Sequence, residues 1–225
     1  QLHAVSTQFR QLSLSGYQAL PKISGLNGQL AWQAEQGFLK LDSPHVNIDF
    51  TRMPLLDLKL NTLWHWQKKP QDIQISIDNL QVVHPNLMLK ASGQLSDITF
   101  NKSSAVDMDA ELSSKNFLYW RPFIEKLTLP SKLNRWLVQD IKKLSQLDAT
   151  VKLKGRLIDF PFDKTPGVLS VQGHITGMNL KMAPSWPDIT NIQANVMLNS
   201  RNLSFNVHQA VLAGLTLTQG QASIT

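Results

Sequence analysis

The stretch PKISGLNGQLAW at residues 21–32 recurs, with changes, as PDITNIQANVML at residues 187–198. Both copies follow the pattern Pro-x-Ile-x-x-[Leu/Ile]-x-[Gly/Ala]-x-[Leu/Val]. Because successive side chains of a strand point to opposite faces, each copy predicts a β-strand with one apolar face. Weaker copies align Trp32 with Trp66 and extend to residues 147–153. A reused hairpin favours an elongated sheet built by neighbour contacts, although amphipathic strands also resemble one another by chance.

The rest of the chain alternates in the same way. Residues 46–50, 58–66, 73–77, 106–112 and 203–207 place apolar residues at every second position. Turn-forming residues separate many of these segments, for example at 34–37, 68–71 and 199–202. Alternation with short turns is typical of antiparallel strands. The sequence therefore predicts a mainly β protein, an elongated and curved antiparallel sheet of repeated hairpins.

One region breaks the two-residue period. Apolar residues at 133, 136, 137, 141 and 144 have helical spacing and predict an amphipathic helix, and NFLYWRPFIEKL before them predicts a shorter one. We expect an N-terminal hairpin segment at 1–114, a helical insertion at 115–145 and a C-terminal hairpin segment at 146–225. We expect these segments to form one continuous unit that is part of a longer protein.

Positive charge is concentrated in the same region. Residues 115–156 contain ten Lys or Arg and three acidic residues, whereas the whole chain has a net charge of +6. A basic helical patch could meet lipid phosphates at a membrane surface or an acidic envelope protein, and the alternative is a solvated cationic face. Nucleic acid is not expected as a partner, because no RNA- or DNA-binding motif is present. The patch candidates are Arg121, Lys126, Arg135, Lys142 and Lys143.

The sequence contains no pattern that indicates catalysis. The absence of cysteine excludes disulfides, thiolate zinc sites and cysteine nucleophiles, and the six histidines lack metal-ligand spacing. No nucleophile elbow or phosphate-binding loop occurs. The carboxylates of Asp107, Asp109 and Glu111 predict a solvated strand face more than a calcium site, since calcium loops wrap the ion. We therefore expect no enzyme activity, no metal and no cofactor.

Five segments, taken in order, resemble the central region of YhdP-like proteins, which belong to the AsmA-like group of envelope proteins. They are ISGLNGQLAW, GFLKLDSPHVNIDF, LNRWLVQDI, ATVKLKGRLIDFPF and MAPSWPDITNIQANVML. The resemblance implies a bridge-like protein of Gram-negative bacteria with an inner-membrane anchor and a periplasmic body. It further implies phospholipid transport along a groove of repeated hairpins, which supports the outer-membrane permeability barrier. The family has no catalytic motif to carry over.

A sheet with one apolar face must cover that face, and acyl chains gain about 0.8 kcal/mol per buried methylene. We therefore expect apolar strand positions to line a lipid groove. A closed β-sandwich core is the alternative for each position, and a structural spacer or adaptor is the alternative function. The groove candidates are Leu30, Leu41, Ile48, Leu60, Ile75, Met108, Leu153, Val171 and Val196.

Overall fold

The computed structural model describes residues 4–16, 21–50, 53–70, 72–98, 104–125, 131–160, 162, 164–183 and 185–224. In this part of the chain, thirteen strands form one antiparallel sheet. The strands are β1 (Ala4–Leu14), β2 (Lys22–Gln33), β3 (Gln36–Phe50), β4 (Met53–Lys69), β5 (Asp72–His84), β6 (Leu87–Ser96), β7 (Ala105–Lys115), β8 (Ile141–Arg156), β9 (Gly167–Leu180), β10 (Ile189–Asn199), β11 (Asn202–Leu212), β12 (Leu215–Leu217) and β13 (Gly220–Ile224).

The sheet is a meander that stays open. Each strand from β1 to β12 pairs with the next one in sequence, and β13 pairs with β11 beside β12. The first strand does not pair with the last ones, so the sheet is curved but not closed. The predicted mainly β fold of successive hairpins is confirmed.

A line of bulges crosses the sheet, with members on β1, β2 and β4 and again on β9 and β10. Gln11, Gly25, Asp57, Gly177 and Asn191 have φ angles between 53° and 84°, and the register with a neighbouring strand shifts at each of them. Bulges bend strands and increase their twist. In every case an apolar residue lies two positions before the bulge and another lies one position after it. The pairs are Phe9 and Leu12, Ile23 and Leu26, Leu55 and Leu58, Ile175 and Met178, and Ile189 and Ile192.

Asparagine side chains satisfy backbone groups that three of these bulges release from the strand ladder. In each case the bulge N–H donates to an asparagine Oδ1 on the adjacent strand. The bonds are Gln11 to Asn27 at 2.9 Å, Asp57 to Asn47 at 3.0 Å, and Asn191 to Asn179 at 3.1 Å. A released N–H without a partner would destabilise the bend, so the asparagine is part of the repeated unit.

The bulge explains the stretch that recurs at the two ends of the sequence. Gly25 and Asn191 occupy the same place in the two copies, and both have left-handed φ angles, 84° and 53°. Isoleucine lies two residues before the bulge in both copies, at 23 and 189. The spacing Ile-x-x-[Leu/Ile] therefore keeps both side chains on one face across a bend.

Strands β6 and β7 stop close to this line, and a helical insertion begins there. Register carries Leu87 of β6 to Ser114, Leu147 and Ile175 on the next three strands, so these strands end just below the bulge at Gly177. The insertion (residues 116–140) contains a 3-10 helix (Phe117–Trp120), α1 (Arg121–Ile124), α2 (Ser131–Arg135) and a π-helix (Trp136–Asp140). The predicted short helical insertion between hairpins is confirmed.

The helical spacing after residue 133 extended the predicted helix too far. Ile141 and Leu144 lie on β8 and are fully buried there, and Lys142 and Lys143 lie on the same strand. The pairing of β8 with β9 shifts register between Ile141 and Lys143, so residues three apart both become buried. A bulged strand thus reproduces the spacing of a helix face.

Candidate functional site

Register places one apolar face across the whole sheet. Residues directly opposite each other on adjacent strands share a face, so the pairing can be followed from strand to strand. Leu30 is opposite Leu39, Leu39 opposite Trp64, and Trp64 opposite Ile77. The same procedure from β1 to β11 places all nine groove candidates on this apolar face.

Two packed clusters occupy parts of the apolar face. The first cluster has the buried residues Leu26, Leu41, Val46, Leu55 and Leu58. The second cluster has the buried residues Ile141, Leu144, Ile175, Met178, Ile192, Ala194, Leu203, Phe205 and Ala210. Among the candidates, Leu41 belongs to the first cluster, Ile48 and Leu60 pack against it, and Val196 packs against the second.

The other five candidates lie outside both clusters. Leu30, Ile75, Met108, Leu153 and Val171 are half-buried, although they face the same side as the core residues. We call these five residues the open surface. Met108 is directly opposite Leu153, and Ile75 is opposite Leu95, so the open surface is continuous through apolar neighbours. In the described part of the chain no second sheet covers it.

The insertion covers the apolar face from the strand ends at residues 115 and 141. Tyr119 and Trp120 pack against the first cluster, whereas Phe117, Leu118, Trp136 and Leu137 pack against the second. The ring centroids of Trp136 and Phe205 lie 5.3 Å apart. The insertion therefore spans both clusters and leaves the open surface uncovered.

Polar contacts hold the insertion at its two ends. Trp120 Nε1 donates to Ser114 Oγ at 3.1 Å, and Ser114 Oγ donates to the carbonyl of Asn86 at 3.1 Å. At the other end, the N–H of Lys181 donates to the carbonyl of Asp140 at 2.9 Å. These contacts fix where the insertion leaves and rejoins the sheet.

The predicted basic patch does not form as a single helical surface. Arg121 is half-buried, and its Nη2 donates to the carbonyl of Ile141 at 2.7 Å. Arg135 Nε lies 4.0 Å from an Asp140 carboxylate oxygen. Lys142 and Lys143 are strand residues, since β8 already begins at Ile141. Lys126 lies outside the described residues.

Two groups in the insertion region are partly desolvated: the buried Nε of Arg121 and the half-buried ring of His84. Arg121 Nε has no hydrogen-bond partner although it is shielded from solvent. His84, at the end of β5, stacks on Tyr119 with centroids 5.2 Å apart. Burial lowers the pKa of His84 below its ordinary value of 6.5.

The opposite edge of the apolar face holds an aromatic residue that the sequence reasoning missed. Phe162 is buried, has a left-handed φ of 63°, and packs where side chains at Gly155 and Gly167 would stand. Its loop leaves Ile158 72% exposed. Gly155, the first residue of GRLIDFPF, and Gly167, which follows it on β9, are the sequence signal that could have indicated a site for a large side chain.

The other face of the sheet is polar and carries paired charges. Lys154 Nζ lies 2.6 Å from an Asp107 carboxylate oxygen, and Lys152 Nζ lies 3.8 Å from one of Asp109. The hydrogen bond and charge of Asp107 raise the pKa of Lys154. These carboxylates face solvent and lysine, and no group of metal-ligating side chains is found among the described residues.

Comparisons with known proteins give one family. The family model described as YhdP protein matches residues 1–225, and its members are lipid-transport-related envelope proteins that are not known as enzymes. No curated protein and no solved structure matches significantly. Within the described residues, no helix is both long and apolar enough to cross a membrane. The match over the full length shows that this chain belongs to the YhdP family.

Proposed function

We propose that this chain is a segment of an intermembrane phospholipid transport protein. Acyl chains lie on the open surface, and head groups remain in water beyond the edge of the sheet. The segment belongs to the periplasmic body of an inner-membrane-anchored protein and supports the outer-membrane permeability barrier. The observation that carries the proposal is a single apolar face that crosses all the described strands and is only partly covered.

The dimensions of the sheet suit a conduit. Twelve strands pair in one series, and strands lie about 4.8 Å apart, so the apolar face extends for roughly 53 Å across them. Apolar contacts have no directional requirement. A lipid acyl chain is therefore stabilised by about 0.8 kcal/mol per buried methylene wherever it lies along the apolar face. A lipid can therefore slide without a deep binding minimum.

Packing in the second cluster supports a different function for that part of the sheet. Ile141, Ala194 and Phe205 are buried beneath the insertion, as in an ordinary core. Packed clusters of this kind would be sufficient for a structural spacer or adaptor. Such a function does not explain the uncovered apolar residues of β5, β7 and β8. The two functions therefore differ in whether the open surface holds lipid.

Native mass spectrometry with organic extraction tests the proposal on protein purified from a bacterial host without detergent. We expect co-purified phospholipid that is lost when Ile75 and Met108 are both changed to Asp. The matched control changes Met88 and Met197, which are exposed on the polar face, to Asp and should keep the lipid. A lipid-free wild-type chain that also fails to take lipid from vesicles would favour the spacer.

A further inference from the structure

The open surface lies close to one edge of the sheet. Leu30, Ile75, Met108 and Leu153 are each three residues from a strand end, and these four ends lie on the same side of the sheet. We call this side, which holds the turns at 34–35 and after Lys69, the near edge. Three residues of a strand span roughly 10 Å. A lipid on the open surface therefore meets water over the shortest distance at the near edge.

The opposite edge is closed to a charged group on β2 to β4. Leu26, Val46 and Leu58 of the first cluster are buried on the side of the open surface that faces that edge, and Tyr119 and Trp120 pack against the cluster. A phosphate leaving in this direction would have to cross packed hydrocarbon, which is unfavourable for a charge. The near edge is therefore the exit for a charged head group.

One cation lies on the apolar face at the near edge. Lys68 is opposite Ile73 on β5, and it is two residues from Trp66, which is opposite Ile75. Among the described strands, Lys68 is the one lysine or arginine that the register places on the apolar face. A lysine in such a position keeps its ammonium group in water while its methylenes cover apolar neighbours. The apolar face thus ends in a positive charge.

The ammonium group of Lys68 is available to an anion. Lys68 is exposed, and no ion pair joins it to any residue that the structure describes. Its neighbour Lys69 lies on the polar face, where Nζ donates to Gln74 Oε1 at 2.9 Å. Asp72, opposite Lys69, accepts a hydrogen bond from the N–H of Ile98 at 3.1 Å. The charge of Lys68 therefore remains to attract a phosphate, with which lysine forms charge-assisted hydrogen bonds.

Two tryptophans lie beside Lys68 on the apolar face. Trp32, Gly37 and Trp66 are directly opposite one another on β2, β3 and β4. A Cβ at Gly37 would overlap the ring of Trp66, so this ring lies over the glycine, and Trp32 is 40% exposed. Tryptophan is favoured where hydrocarbon meets water, because its ring is apolar and its N–H is a donor. Along β4 the sequence of half-buried Trp64, Trp66 and exposed Lys68 matches the order of acyl chain, glycerol ester and phosphate in a phospholipid.

We propose that Lys68 binds the phosphate of a phospholipid whose acyl chains lie on the open surface, with Trp32 and Trp66 beside the glycerol esters. This inference rests on the proposed function. It adds an orientation, with head groups at the near edge. It also adds a preference for lipids that carry a phosphate over neutral lipids with the same acyl chains.

Equilibrium titration with two lipids delivered from cyclodextrin tests the site. One is phosphatidylglycerol with a fluorescent acyl chain, and the other is diacylglycerol with the same chains and no phosphate. In Lys68→Met we expect the ratio of the two affinities to fall about fivefold, the upper range for an exposed ion pair, and the loss to shrink at high salt. Lys69→Met is the matched control, because it removes the same charge from the polar face, and it should keep the wild-type ratio.

A competition experiment separates a lipid head group from a free phosphate. Glycerol phosphate carries the phosphate without acyl chains, so it should not displace phosphatidylglycerol at equal concentration. Displacement would assign Lys68 to a soluble phosphate ligand and overturn the head-group site. An equal fall of the affinity ratio in Lys68→Met and Lys69→Met would overturn it as well, because attraction would then depend on net charge alone.

A second measurement locates the phosphate while Lys68 stays in place. The chain has no cysteine, so a nitroxide can be attached at Glu35→Cys, whose carbonyl accepts from the N–H of Lys68, or at Lys22→Cys, at the other end of β2. We expect the label at 35, and not the label at 22, to broaden the ³¹P signal of bound phosphatidylglycerol. Equal broadening by both labels, or an unchanged affinity ratio in Lys68→Met, would overturn the head-group site and leave the proposed function intact. Failure of the wild-type chain to bind either lipid would overturn both.

Discussion

The change of Met108 to Asp is the sharpest test of the open surface. Met108 is half-buried on the apolar face, directly opposite Gly93 and Leu153, and it belongs to neither packed cluster. A charge at this position should therefore leave the folded sheet largely intact. It should repel an acyl chain lying across β7, because burying a carboxylate against hydrocarbon is unfavourable.

The size of the effect follows from the contact that is lost. A side chain of this length covers about three methylenes, and at about 0.8 kcal/mol each the loss is roughly 2.4 kcal/mol. Since about 1.4 kcal/mol corresponds to tenfold, affinity for a fluorescent phospholipid should fall roughly 50-fold. Equilibrium titration with lipid vesicles measures it, and circular dichroism verifies that the sheet is retained.

The control for this prediction lies on the adjacent strand. Met88 of β6 is exposed on the polar face, opposite Ser113. Met88→Asp introduces the same charge within a neighbouring hairpin, so it should leave lipid affinity within about twofold, the range of a surface substitution. Equal losses in the two variants, or no loss in Met108→Asp, would refute the assignment of lipid to the apolar face.

Three further predictions concern stability, each measured by urea unfolding. Leu58→Ala should cost about 2–5 kcal/mol because Leu58 is 2% exposed, whereas Leu215→Ala, at a position 71% exposed, should stay within about 0.5 kcal/mol. Gly155→Ala should lower the free energy of unfolding by about 2 kcal/mol or more, because φ is 137° and the added Cβ would lie 2.8 Å from a ring carbon of Phe162. Gly214→Ala should lower it by only about 1 kcal/mol, because φ is 83° but the added Cβ would meet open space. Burial lowers the pKa of His84 below 6.5, so the unfolded chain binds a proton at His84 better than the folded chain does. The contribution of neutral His84 to the free energy of unfolding is therefore complete above pH 6.5 and is lost as the pH falls below 6.5. His84→Gln should reduce the difference in stability between about pH 7.5 and about pH 5.5, and an unchanged difference would contradict the role of burial.

The strands could be predicted from the sequence because apolar and polar residues that alternate along the chain lie on opposite faces of the paired sheet. The alternation identifies the nine groove candidates one strand at a time, and the pairing register places them on one face. Their distribution between packed clusters and open surface could not be predicted, since it depends on where the insertion docks. Leu41 and Met108 have the same alternating pattern, yet only Leu41 is buried in a cluster.

The errors have a common physical origin in backbone that departs from a regular strand, either at a register shift or at a residue with left-handed φ. The register shift between Ile141 and Lys143 gives the apolar residues Ile141 and Leu144 a three-residue spacing, and this spacing wrongly predicts a helix. Glycine is the usual signal for left-handed φ, but Gln11 and Asp57 adopt it here without that signal. Phe162 also has a left-handed φ in its loop. Its ring packs against Gly155 of β8 and Gly167 of β9, so its site is formed only when the two strands pair.

Site-specific photo-crosslinking in living cells, with the full-length protein, tests the central claim most directly. A photoreactive residue is placed in turn at successive positions of β7 and β8, and crosslinked phospholipid is detected by mass spectrometry. Adducts are predicted at Met108 and Leu153, and not at their neighbours Asp107 and Lys152 on the polar face. Adducts that ignore this alternation, or their absence at Met108 and Leu153, would contradict lipid transport along the apolar face.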